Sequence, residues 1–231
     1  MSMKLEKVVP FGRSLDEYIK MFNLSDLDLG KRILGVGDGP ASFNAEATKL
    51  GYQVTSIDPI YQFSGAEIFD RFNAVVDNII EQVRTTPNDW VWSYHKSPDD
   101  LRQHRIEAIQ AFLKDYDIGK AEKRYLTGES PNLKFLDQSF DLVLCSHFLF
   151  LYSEQLDQQF HLDAVLDMLR VGREVRIFPL LTLMLDRSPH LDRVIEELSN
   201  LGYKVSIKKV DYEFQKGGNE MLVIKQGDFH A

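Results

Sequence analysis

Apolar positions along the chain alternate between a helical period and short unbroken runs. Residues 15–24 carry apolar side chains at helical spacing behind Ser14, a residue suited to cap a first turn. Arg32-Ile33-Leu34-Gly35-Val36 follows, a short apolar run that ends in glycines and reads as a buried strand. Pro40 then opens a helix that runs through Leu50 and ends at Gly51, the expected placement of proline and glycine at the two ends. Residues 52–58, rich in β-branched side chains, give a second strand. Strand, glycine turn, helix and strand form a βαβ unit, which closes right-handed and builds parallel sheet.

The pattern repeats downstream. A third strand is expected at 124–127 and a fourth at 140–146, the latter apolar enough to be covered on both faces. Ser153 is expected to cap a helix running to about Arg170, and 174–179 to form a fifth strand. Ser188 and Pro189 open another helix, with Leu191, Val194, Ile195 and Leu198 on one face and Gly202 as its stop. Residues 205–214 and 220–225 read as two strands of a hairpin joined by Gly217-Gly218-Asn219. The whole is an α/β doubly wound domain, mostly parallel, with an antiparallel strand at the end. The stretch between the second and third strands is too long for a simple crossover. Phe72, Val75, Val76, Ile79, Ile80 and Val83 fall at helical spacing, and a second helix starts at Ser97-Pro98 and carries Ile106, Ile109, Leu113 and Tyr116. The loop 85–95 between them holds Trp90, Trp92 and Tyr94. We read one domain over residues 1–231, with a helical insertion at about 62–123.

Composition narrows the function. At 231 residues, 44% hydrophobic and 27% charged, the chain is neither disordered nor fibrous. A net charge of −8 repels a phosphate backbone, so nucleic acid is not an expected partner. Cys145 is the one cysteine, which rules out an intramolecular disulfide, and an inert buried thiol is expected there. Residues 1–10 lack the apolar core of a secretory signal, neither end carries a lipidation box, and the apolar runs at 142–152 and 177–185 are too short to cross a bilayer. The expectation is a cytoplasmic protein with no membrane partner, its capacity to form a homo-oligomer left open.

Two segments carry chemistry. Gly35-Val36-Gly37-Asp38-Gly39-Pro40-Ala41 joins a strand to a helix, where a ligand can approach the backbone and the helix N-terminus is positive. Its spacing departs from the G-x-G-x-x-G of dinucleotide sites, since Pro40 and Ser42 stand where the third glycine is needed. Asp58 ends the second strand about twenty residues on, the place of an acid that accepts ribose hydroxyls.

The segment from Gly128 to Val143 adds a third signal. Leu133-Lys134-Phe135 and Ser139-Phe140-Asp141 have the spacing of the loop before strand four in class I S-adenosylmethionine-dependent methyltransferases, which the chain resembles. Gly35 to Ala41 is similar to that family's glycine motif, Gly172-Arg173-Glu174 to its turn before strand five, and Asn200-Leu201-Gly202-Tyr203 to its step before strand six. The resemblance covers residues 29–225 apart from the insertion. It implies a seven-stranded sheet whose seventh strand lies antiparallel between the fifth and sixth, with S-adenosyl-L-methionine across the carboxyl ends of strands one to four. The cofactor site it implies includes Gly35, Gly37, Asp38 and Gly39, the second and last of these against the methionine part. Asp58 would hold the ribose, Ile60 or Tyr61 the adenine face, and Glu129 the adenine amino group. Ser146 and His147 would border the methyl group, and His147 is the candidate general base. The family usually has an acid where this chain has Gly35; Asp38 is the candidate substitute.

The resemblance implies transfer of a methyl group to an acceptor, for which a small molecule is expected because an insertion over one domain favours an enclosed substrate. Rival readings are a methyltransferase-shaped binding module without catalysis, a nicotinamide-dependent oxidoreductase and, ranked lower, an aminopropyl transferase. Trp90, Trp92 and Tyr94 either wall a substrate pocket or staple the insertion to the body, the second being favoured. His95 is expected to be a solvated loop histidine, and Arg102, Arg105, Lys208 and Lys209 solvated charges. No cysteine–histidine cluster has zinc spacing.

Overall fold

The structure is a computed structural model that describes residues 9–227. The signal-free reading of the N-terminus rests mostly on residues 1–8, outside the described residues.

Helix α1 (Leu15–Phe22) begins where Ser14 and Glu17 form a reciprocal cap, each side chain bonded to the other's backbone N–H. A short α2 (Asp26–Leu29) leads into β1 (Arg32–Val36). After the glycine turn come α3 (Phe43–Lys49) and β2 (Gln53–Ile57). The insertion supplies α4 (Gly65–Thr85) and α5 (Pro98–Ala121) before the short β3 (Tyr125–Leu126). Strand β4 (Phe140–Ser146), α6 (Gln158–Val171), β5 (Gly172–Phe178), α7 (Leu191–Asn200), β6 (Lys204–Lys209) and β7 (Glu220–Lys225) complete the chain.

The strands form one sheet in the order β3-β2-β1-β4-β5-β7-β6. All are parallel except β7, which runs antiparallel to both neighbours. That is the class I methyltransferase fold, with the seventh strand between the fifth and sixth. Strand β1 reverses the direction in which strands are added, because β2 lies on one side of it and β4 on the other. A crevice therefore opens at the carboxyl ends of these strands, where ligands of open α/β sheets bind.

Both sheet faces are covered, and β4 shows how. Val143 and Cys145 point into a core with α6 and α7, while Leu142 and Leu144 point into another with α1 and α3. Burial pushes the Cys145 thiol up to about 12, as expected of an inert apolar site. The insertion has its own core, in which Phe72, Val76, Ile80 and Val83 of α4 meet Leu101, Ile109 and Phe112 of α5. Among the described residues no helix is long and apolar enough to cross a membrane.

Several boundaries differ from expectation. Strand β5 begins at Gly172, directly after α6, so Gly172-Arg173-Glu174 lies within the strand and pairs with β4 instead of forming a turn before it. Helix α3 starts at Phe43 instead of Pro40, because residues 40–42 lie against the chain at 12–13. A Cβ on Gly12 would sit 2.1 Å from the Pro40 carbonyl oxygen, and Ser42 N–H donates to Arg13 O. Helix α6 is capped by Asp157, while the Ser153 hydroxyl bonds the Phe150 carbonyl and Ser188. Strand β6 ends at Lys209, so its link to β7 is a ten-residue loop, 210–219, in which Gln215 bridges to Trp90 of the insertion.

Candidate active site

The turn after β1 has left-handed backbone at Gly37 (φ +70°) and Gly39 (φ +54°), which is why glycine stands at both places. Gly35 is small for a different reason. A Cβ built on it would lie 1.8 Å from Asp38 Oδ2. The Asp38 carboxylate thus fills the space that a side chain at 35 would need. Tyr18 donates to Asp38 Oδ1 at 2.7 Å and Ser56 to Oδ2 at 2.6 Å. Asp38 is 6% exposed, and burial pushes its carboxyl up to about 6 against those hydrogen bonds, helped by the charge of Asp58.

Asp58 stands at the end of β2, where its oxygens accept from Gly39 N and Ile60 N, both at 2.8 Å. Burial raises this carboxyl to about 6 as well. Each oxygen keeps a second lone pair for a ligand hydroxyl. Of the two adenine-face candidates, Ile60 lines the cavity, whereas Tyr61 is fully buried among Phe112, Tyr116 and Tyr125. Its hydroxyl instead donates to the Gly39 carbonyl at 2.7 Å and braces the turn.

Strand β4 delivers Ser146 and His147. Ser146 Oγ lies 3.0 Å from His147 Nδ1, and His147 N–H donates to the Phe178 carbonyl at 2.7 Å. His147 has φ +51°, a conformation that costs about 1 kcal/mol or more in a non-glycine residue and gathers at functional sites. Burial, then Arg13 and Arg105, hold its imidazole well below the ordinary histidine range, so it is neutral at physiological pH. Glu129, exposed after β3, joins Gly37, Asp38, Asp58, Ile60 and His147 around a cavity of about 670 Å³. That volume is in the range of cofactor and ligand sites.

Several charges lie elsewhere than the sequence suggested. Arg105 is not a solvated charge. It is 2% exposed and donates to both oxygens of Glu17, one at 2.7 Å, and to the Gly12 carbonyl. His95 is likewise fully buried, 2.8 Å from His104 through Nδ1 and 3.3 Å from the Tyr212 hydroxyl through Nε2. Arg105 is in line with Leu101, Ala108, Ile109 and Phe112 on the apolar face of α5, and that register is the signal that marks it. The aromatic loop does staple the insertion: Trp90 stacks on Phe214 at 4.7 Å and Trp92 meets it edge-on at 5.6 Å. Phe11, Arg13, Tyr18 and Ser56 carry no motif, and sequence reasoning missed all four.

The chain matches no protein-family model. Among solved structures it is similar to magnesium protoporphyrin IX methyltransferase from Synechocystis PCC 6803 with bound SAM, at 11% identity and TM-score 0.47, covering 92% of this chain and 78% of that one. It is also similar to a putative S-adenosyl-L-methionine-dependent methyltransferase from Methanococcus maripaludis, at 12% identity and TM-score 0.46, covering 94% and 85%. The strand order, not these distant likenesses, carries the fold. In sequence the chain is 37% identical over 225 residues to the uncharacterized protein MJ0045 of Methanocaldococcus jannaschii, covering 97% of this chain and 99% of that one. The chain belongs to the same family as that archaeal protein.

Proposed function

We propose that the protein is an S-adenosylmethionine-dependent methyltransferase acting on a small molecule. The observation that carries this reading is the pair of acids at the ends of β1 and β2, Asp38 buried and Asp58 half-buried. Asp38 and Asp58 are each desolvated, and no cation is within ion-pair distance of either among the described residues. An ammonium group beside Asp38 and ribose hydroxyls on Asp58 would supply what the carboxylates lack. The residues present therefore fit the cofactor, with Gly37 and Gly39 against its methionine part, Ile60 on the adenine face, and Glu129 and Ser146 at the cavity rim.

When bound, the cofactor supplies a sulfonium methyl group as the electrophile. The chain's own contribution is alignment and exclusion of water. His147, neutral and fixed by its backbone, is the histidine that would orient a hydroxyl, thiol or amine acceptor; held well below the ordinary histidine range, it is a weak base for removing the acceptor's proton. An enclosed acceptor is favoured because residues of the insertion and of the 210–219 loop wall the cavity beside His147.

Calorimetry with S-adenosylmethionine and S-adenosylhomocysteine, with NAD as control, tests the reading. Binding in the micromolar range, absent for NAD and lost in Asp58→Ala, is expected. No binding to the well-folded protein at millimolar ligand overturns it.

A further inference from the structure

A second cavity, of about 80 Å³, adjoins the large one. Phe11, Arg13 and His147 line both. Its walls are otherwise largely apolar, with Leu101, Trp90 and Phe214 among them. Three buried polar atoms on lining residues have no hydrogen-bond partner: Arg13 Nε, Arg105 Nε and Gln215 Oε1. Arg105 is 2% exposed and Gln215 8%, so bulk water does not satisfy them. Buried polar groups are almost always paired, and three orphans around one cavity point to a missing ligand.

The charge balance specifies that ligand. Arg13 and Arg105 both line the cavity, and among the described residues Glu17 is the acid whose charge acts on both. Glu17 is saturated by Arg105, by the Tyr212 hydroxyl and by Ser14 N–H. Arg13 donates only to the Phe11 carbonyl and makes no ion pair among the described residues. Burial, then Arg105, push its guanidinium down to about 10, as happens to a cation lacking its counter-ion. His147 is neutral and offers no negative charge. One positive charge is left over, on a planar fork that matches a carboxylate. A phosphate would bring a second negative charge, for which no second free cation is present among the described residues.

We propose that the small cavity binds an apolar carboxylic acid, its carboxylate paired with Arg13 and a donor group on it bonded to Gln215 Oε1. The acid would be the methyl acceptor, and that clause alone rests on the methyltransferase reading. His147, on both cavities, then lies between the acid and the cofactor.

Propionate and its neutral isostere propionamide, small enough for the cavity, are the probes, titrated by calorimetry into the full-length protein without cofactor. Propionate is expected to bind at least about tenfold more tightly than propionamide. Arg13→Gln should abolish that preference. Gln215→Leu should weaken 3-hydroxypropionate more than propionate, because only the former has a hydroxyl to donate. Equal binding of propionate and propionamide, or no saturable binding of either, overturns the proposal, and these wild-type results stand even if a variant fails to fold. The other source of a carboxylate is the cofactor's own amino-acid end. S-adenosylhomocysteine and methylthioadenosine, which lacks that end, separate the two. If Arg13→Gln reduces S-adenosylhomocysteine to the affinity of methylthioadenosine while leaving the propionate preference intact, Arg13 serves the cofactor and the proposal falls. If propionate binds as expected but S-adenosylhomocysteine does not bind at all, the acid site stands and the methyltransferase reading fails.

Discussion

Buried charges occur in two regions of this protein, and the regions treat them in opposite ways. Under α1, along the sheet and on α5, the buried acids Glu17, Asp28 and Glu174 and the half-buried Asp115 each have a cation. Against the desolvation that would raise them, Arg105 holds Glu17 well below the usual carboxylate range, Lys31 and Arg176 hold Asp28 down, and Arg124 holds Asp115 down. At the carboxyl ends of β1 and β2, Asp38 and Asp58 have hydrogen bonds but no cation among the described residues, and both rise to about 6. Beside them Arg13 is a cation without an acid. The first region is complete in itself. In the second, charges stand without a counter-charge among the described residues, the electrostatic pattern common at binding sites.

Breaking the scaffold side should have the largest effect. Arg105→Met leaves Glu17 charged and buried, and is expected to lower stability by about 3–5 kcal/mol in denaturant unfolding. Adding Glu17→Gln should restore part of the loss. On the site side the expected effects fall on binding. Asp58→Ala should weaken S-adenosylhomocysteine by about a hundredfold in calorimetry. It should cost little stability, because the folded protein holds that carboxylate at a penalty.

The exchange between positions 35 and 38 sharpens the contrast. Gly35→Asp places an acid where the Asp38 carboxylate already lies, and about 1–3 kcal/mol of destabilisation is expected from overpacking. Gly35→Asp with Asp38→Ala removes the clash, so thermal unfolding of the double variant should show strong non-additivity and recovered stability.

The smallest effect is that of pH. A group that is protonated below about 6 in the free protein but ionised in the complex must lose its proton on binding. Affinity for S-adenosylhomocysteine should therefore be constant above pH 6 and fall by about tenfold per unit below it for each such carboxylate.

Much of this was legible in the sequence. Strands β1 and β4 lie on the expected residues because unbroken apolar runs leave little choice of boundary. The glycine turn and Asp58 were legible because their chemistry is local: backbone freedom at one place, a carboxylate at a strand end. The start of α6 was not, because Ser153 and Asp157 both have capping chemistry and tertiary contacts chose between them. Arg13, Gln215 and the direction of the Asp38 side chain were not legible either. Each acquires its role from segments distant in the chain, and no local spacing records that meeting.

The account turns on Asp38 and Asp58 being acids that lack a counter-charge until a ligand arrives. Carboxyl-carbon NMR titration of the two side chains, with and without S-adenosylhomocysteine, measures this directly. The account predicts titration near pH 6 in the free protein and a fall of both into or below the ordinary carboxylate range in the complex. Ordinary values in the free protein, or raised values that the ligand leaves unchanged, would contradict it.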